Sequence, residues 1–258
     1  MPRKFLILHQ PKTAGTYCSM CLPHGYVMPH NMNYHRLTSE GSLKSEQIVC
    51  IVRNPLEYYK SLITYWCIDP RHCTVRQNYS ESELKCIYEN KIKENVDPPY
   101  PMHGHVDFYI SNGYTLKFEE ILSNLFDDDF LKNHQNILSK KCHTYDYYVF
   151  KELIRLGIGF YTFSFLDQYA SKKISDIKSN EECFDELMKI AKNSIILHTE
   201  NITHELKELC KKFNVPCKDL GNTRPKQSNK PSSLKISREL LQAIFFRDAH
   251  MFNIFFKQ

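Results

Sequence analysis

No run of apolar residues in this chain approaches the roughly 18 that a membrane-spanning helix needs. The amino terminus offers only Phe5-Leu-Ile-Leu8 after a basic start, too short for the apolar centre of an export signal. These two absences point to a soluble protein, cytoplasmic or otherwise unanchored. A strong charge of one sign is also missing. The chain carries 34 Lys and Arg against 29 Asp and Glu, a net charge of +5, too mild and diffuse for a protein that grips duplex nucleic acid. A locally positive cleft for a small anion remains compatible with that total. The ten cysteines stand singly apart from Cys18-x-x-Cys21, with no second pair at zinc-site spacing. No metal site is expected, and the thiols read as reduced and structural. Repeats and linker-like stretches are missing too, so the 258 residues read as one domain.

What is present is an alternation of buried strands and helices. Phe5-Leu-Ile-Leu8 is short, continuous and apolar, and His9, Gln10 and Pro11 stop it, which predicts a strand covered on both faces. A helix is predicted from Thr16 to Leu22, and residues 23–46, rich in His, Asn, Pro and Ser, predict a long loop. Ile48-Val-Cys-Ile-Val52 predicts a second buried strand. Asn54 and Pro55 follow as helix cap and first helical residue of a helix running to Trp66. Ser80-Glu-Ser-Glu83 is a capping box for a helix to about Glu94. Helices are predicted over about 117–138 and 145–170, the second broken near Gly157 and Gly159. A third strand, Ser194 to His198, lies between helices around Cys183–Lys192 and Thr203–Phe213. A basic tail over 221–233 precedes a final helix from about Ser237 to Phe255. This pattern predicts an α/β fold with a central parallel sheet flanked by helices. Ligands of such sheets sit at the carboxyl ends of the strands.

Two strand ends carry anion chemistry. After the first strand, the N–H groups of Thr13, Ala14, Gly15 and Thr16 would converge on an anion, helped by the positive end of the helix. Gly15 would let the backbone approach closely, and Lys12 would add a mobile positive charge. After the second strand, Arg53 could fork onto a phosphate, and Ser61, eight residues on, could donate to the same group. Two anion sites on adjacent strands predict a ligand with two separated phosphate-type groups.

Gln10-Pro-Lys-Thr-Ala-Gly-Thr16 resembles the 5′-phosphosulfate loop of the sulfotransferases that use 3′-phosphoadenosine 5′-phosphosulfate (PAPS). Ile51-Val-Arg-Asn-Pro-Leu-Glu-Tyr-Tyr-Lys-Ser61 resembles their 3′-phosphate motif. The pair, in this order, is more specific than either motif alone and is most similar to the carbohydrate branch that contains the heparan 2-O enzymes. Gly157-Ile-Gly-Phe-Tyr-Thr-Phe163, His198-Thr-Glu-Asn201 and the end from Asn222 to Phe255 resemble segments of bacterial and viral-type members. Residues 67–145 match little and are expected to set acceptor specificity as an insertion. The sequence departs from the family at Tyr58 and Tyr59, near which an Arg often stands.

The resemblance implies a P-loop-like sulfotransferase fold and in-line transfer of a sulfuryl group from PAPS to an acceptor hydroxyl, leaving 3′-phosphoadenosine 5′-phosphate (PAP), without a metal. Lys12 would stabilise charge on the bridging oxygen, with Thr13, Ala14, Gly15 and Thr16 as the cradle and Arg53 and Ser61 on the 3′-phosphate. Arg224 and Lys226 could close over the phosphates. His35, in Tyr34-His-Arg-Leu-Thr38, is the first candidate for the general base, before His103 and His105. The acceptor implied is a glycan or a small hydroxylated molecule. Two other readings stand beside this one. A P-loop nucleotide kinase needs Gly-Lys-[Ser/Thr] at the helix start, where this chain has Gly15-Thr-Tyr17. A PAP-binding protein without catalysis would keep the pocket and lack a working base.

Overall fold

The computed structural model describes residues 4–28, 32–41, 43, 46–65, 80, 82, 83, 85, 86, 89, 90, 117–139, 145–220 and 236–256. Trp66, His103, His105, Arg224 and Lys226, on which expectations were placed, lie outside the described residues. The chain divides into two compact units, one of Met1–Tyr58, Tyr161–Gln227 and Ala249–Gln258, the other of Tyr59–Phe160 and Ser228–Asp248. The stretch 67–145, read as an insertion, falls within the second unit.

The first unit is built on a four-stranded parallel sheet of β1 (Phe5–Leu8), β2 (Val27–Met28), β3 (Gln47–Val52) and β4 (Ile195–His198), in the order β2-β1-β3-β4. Phe5 to Leu8 are all fully buried, as are Val49 to Val52, which is why both strands read as unbroken apolar runs. β1 and β3 pair directly, Phe5 with Gln47 and Ile7 with Val49, so the two loops at their carboxyl ends leave from neighbouring strands. β2 was not predicted. It is two residues long, inside the expected loop, and too short to carry a periodic signal.

Around this sheet lie α1 (Gly15–Cys21), α2 (Tyr34–Ser39) and the start of α3 (Pro55–Ile63). In the second unit, α3 ends and α4 (Phe118–Asn124), α5 (Asp128–Ser139) and α6 (Tyr145–Leu156) follow. The first unit resumes within α7 (Phe160–Tyr169) and adds α8 (Asn180–Asn193) and α9 (Ile202–Phe213). The chain closes with α10 (Arg238–Arg247) in the second unit and α11 (Ala249–Phe255) in the first. Caps explain the starts. Asn54 Oδ1 accepts from the N–H of Leu56 at 3.0 Å, Ser179 caps α8 through Glu182 N–H, and Ser237 caps α10 through Leu240 N–H. The Ser80 box closes reciprocally: Ser80 N–H donates to Glu83 Oε2 at 2.7 Å, and Glu83 N–H to Ser80 Oγ at 3.3 Å.

Two helices expected as continuous are broken. Asp127 Oδ1 accepts from the N–H groups of Asp129 and Phe130, starting α5 afresh four residues after α4 ends. Asp248 interrupts the final helix. Within the second unit its buried carboxylate accepts from Tyr59 Oη at 2.7 Å and presses so closely on Gly159 that a Cβ there would lie 2.3 Å from Oδ2.

The core of the first unit packs α1 and α9 on one face of the sheet and includes Phe5, Ile7, Val49, Ile51, Leu197, Leu206 and Leu209. Cys18, Cys21 and Cys210 are buried in it, with Cys217 beside them. Burial raises the Cys18 thiol and pushes Cys210 up to about 12, which keeps both protonated and inert at neutral pH. The Cys18-x-x-Cys21 spacing therefore serves one buried face of α1.

Candidate functional site

Beyond Leu8 the chain turns sharply. Gln10 N–H returns to Leu8 O at 3.2 Å, and Thr13 caps the turn twice: its N–H at 3.4 Å and its hydroxyl at 2.8 Å both donate to Gln10 O. Thr13 is fully buried, so its hydroxyl holds the loop together from within. Lys12 and Ala14 adopt left-handed backbone, φ 66° and 64°, a conformation that costs a non-glycine residue about 1–2 kcal/mol. Among the described residues, the N–H groups of Ala14, Gly15 and Thr16 meet no acceptor. Gly15 has a role the sequence did not suggest: a Cβ there would lie 2.0 Å from His9 Cδ2, so the glycine makes room for the imidazole.

Arg53 leaves β3 toward the same loop. Its Nη1 donates to the Lys12 carbonyl oxygen at 3.0 Å, and its N–H donates to Tyr161 Oη at 2.9 Å. The first strand's loop and the second anion residue are thus joined by a hydrogen bond. Ser61 is buried on α3, in the part of that helix that belongs to the second unit. Tyr58, where the family often has an Arg nearby, is fully buried and stacks on Tyr161 with centroids 4.1 Å apart; Tyr59 is fully buried in the second unit.

Helix α7, expected from the sequence as the part of the 145–170 pattern beyond the glycines, organises these parts, a role the sequence did not reveal. Tyr161 holds Arg53. Tyr169 Oη donates to Leu8 O at 2.7 Å and accepts from Ile51 N–H at 3.4 Å, tying the ends of β1 and β3. Burial raises the Tyr169 hydroxyl well above its ordinary value, so it stays a donor. Gln10 Nε2 donates to Ser164 Oγ at 3.4 Å, and Gln168 Nε2 donates to Met32 O at 2.8 Å. Just past the helix, the Ser171 carbonyl oxygen lies 3.2 Å from His35 Nδ1. A carbonyl can only accept, so in this contact Nδ1 carries the hydrogen and a neutral ring keeps its lone pair on Nε2. Ser171 is itself fixed, its hydroxyl donating to the buried Glu186 at 3.2 Å, where Lys189 also pairs at 2.7 Å. The signal that could have found this role is composition: Phe160-Tyr-Thr-Phe-Ser-Phe-Leu-Asp-Gln-Tyr169 is too aromatic for a surface helix.

Lys12, Thr13, Ala14, Gly15, Thr16, Arg53 and His35 thus all belong to the first unit. Among the described residues no group of three or more His, Cys, Asp or Glu could hold a metal ion, and no helix is long and apolar enough to cross a membrane. The class this fold defines is an α/β protein with a four-stranded parallel central sheet flanked by helices. Comparison with protein-family models, curated proteins and solved structures finds no match to the chain.

Proposed function

We propose that the protein is a PAPS-dependent sulfotransferase that moves a sulfuryl group to an acceptor hydroxyl, on a glycan or a small hydroxylated molecule. The observation that carries this reading is the hydrogen-bonded pair of strand ends: a loop with left-handed Lys12 and Ala14, after which the N–H groups of Ala14, Gly15 and Thr16 meet no acceptor among the described residues, and Arg53 bonded to Lys12 O beside it. This donor set fits a phosphosulfate better than a nucleoside triphosphate with Mg²⁺, because the loop has its lysine at the entry and no Gly-Lys-Ser/Thr at the helix start.

When bound, PAPS supplies an activated sulfuryl group on a phosphate leaving group. The N–H groups of Ala14, Gly15 and Thr16 would bind the 5′ end, and the Lys12 ammonium would neutralise charge growing on the bridging oxygen. Arg53 would hold the 3′-phosphate with its planar fork, fixed in place by its own backbone bond to Tyr161. His35 Nε2 would take the acceptor proton, with Nδ1 steadied by Ser171 O.

The test is incubation with labelled PAPS over a mixed set of glycans and small alcohols, followed by mass spectrometry. A sulfated product that requires Lys12 is expected. PAP binding without any transfer would make the chain a binding protein, and phosphorylation from ATP would make it a kinase.

A further inference from the structure

The buried face of α8 carries one charge. Its buried residues are Cys183, Glu186, Leu187 and Ile190, and Glu186 is 2% exposed. A buried carboxylate is costly unless it is paired and hydrogen-bonded, and an apolar side chain in its place often leaves stability unchanged or improved. Packing alone therefore does not call for a glutamate here. What Glu186 holds is the bend that follows α7. Its Oε2 accepts from Ser171 Oγ at 3.2 Å, and its Oε1 lies 2.7 Å from Lys189 Nζ and 4.0 Å from Lys172 Nζ. Lys172 also pairs with Glu182, so two consecutive residues of the bend are tied to α8. Ser171 is exposed, so packing does not orient it and the bond to Glu186 does. The carbonyl oxygen of that same residue lies 3.2 Å from His35 Nδ1.

We propose that Glu186 is a positioning residue for His35: through the Ser171 hydroxyl it fixes the carbonyl that keeps the ring hydrogen on Nδ1 and leaves Nε2 free to take a proton. The hydrogen bond made by one ring nitrogen decides the state of the other. A ring held in one tautomer and one orientation is a competent base in every molecule, whereas a ring released from Ser171 O is competent in only a fraction of them. That His35 serves as the base rests on the transferase reading. That Glu186 sets its tautomer does not.

The experiment has two arms, both on the full chain. The first is heteronuclear NMR of protein labelled in its histidine ring nitrogens, at about pH 8.5, above the ordinary imidazole value. The His35 signals are assigned by their loss in His35→Gln. Wild type is expected to show Nδ1 protonated and Nε2 bare. Glu186→Gln keeps that pattern, because either end of its amide can bond the Ser171 hydroxyl, while Glu186→Ala and Ser171→Ala change it to a mixture of tautomers. The second arm is sulfate transfer. Glu186→Ala should lower kcat about tenfold, the scale of a misplaced reacting group, with KM for PAPS unchanged, and should have no further effect in a His35→Ala background. A wild-type ring protonated on Nε2, a tautomer that neither Ala variant moves, or a loss of kcat that is equal with and without His35 overturns the proposal. If Glu186→Ala does not fold, the exposed Ser171→Ala decides. Absence of transfer by wild type overturns the transferase reading instead, and the tautomer arm still decides what Glu186 does.

Discussion

Lys12 and Ala14 sit in left-handed backbone although neither is glycine, and strain of this kind persists only where surrounding contacts enforce it. The Arg53 bond to Lys12 O and the double capping by Thr13 are such contacts. Replacing Lys12 by Ala should therefore leave the far-UV circular dichroism unchanged and lower kcat by about 100-fold or more, the scale for losing a charged stabiliser of the leaving oxygen. Arg53→Ala should weaken PAP binding by about 2–3 kcal/mol, read by calorimetry. Asp167 gives a prediction about stability. Its carboxyl is raised from 3.8 to about 6 by burial, so the folded chain holds this proton more tightly than the unfolded one. The stabilisation is present below about pH 4 and is lost as pH rises through about 6. Above that, the buried charge costs on the order of 2 kcal/mol after allowance for its partial exposure. Asp167→Asn should accordingly raise Tm at pH 7.5 and leave it nearly unchanged at pH 4, measured by scanning calorimetry. A gain that is equal at both pH values would contradict the assignment.

The elements show where sequence reasoning succeeds and where it stops. β1 and β3 were legible because strands covered on both faces are unbroken apolar runs, β4 because Ile195-Ile-Leu197 is apolar though only Leu197 is buried, and α3 and the capping box at Ser80 because Asn, Pro, Ser and Glu act over three or four residues. β2 and α2 were not legible inside the stretch read as a loop: one has two residues and the other six, too few for periodicity. The break at Asp248 was hidden for a different reason, since it depends on what its carboxylate meets far along the chain, whereas Asp127 restarts the helix through N–H groups two and three residues on, a local signal in the sequence. Within the site, Lys12 to Thr16 and Arg53 could be picked out by their order after two strands. The work of Tyr161, Tyr169 and Gln168 could not, because their partners lie more than 100 residues away. Tyr169→Phe tests that long-range role: it strips a donor from Leu8 O and an acceptor from Ile51 N–H, and should cost about 1–3 kcal/mol in urea unfolding. A loss below about 0.5 kcal/mol would mean that the ends of β1 and β3 are held by other contacts.

At the scale of the molecule, the order of the strands decides which loops meet. The parallel order β2-β1-β3-β4 puts β1 and β3 side by side, so two loops separated by some forty residues of sequence meet at one sheet end. That adjacency turns two modest motifs into one candidate site for a ligand with two phosphate-type groups, and the proposal stands or falls with it. The most direct measurement is a calorimetric titration of the full chain with PAP and, separately, with ATP and Mg²⁺, repeated on Arg53→Ala. PAP should bind at one site, bind more tightly than ATP and Mg²⁺, and lose affinity in the variant. Tighter binding of ATP and Mg²⁺, or PAP affinity unchanged by Arg53→Ala, would contradict it.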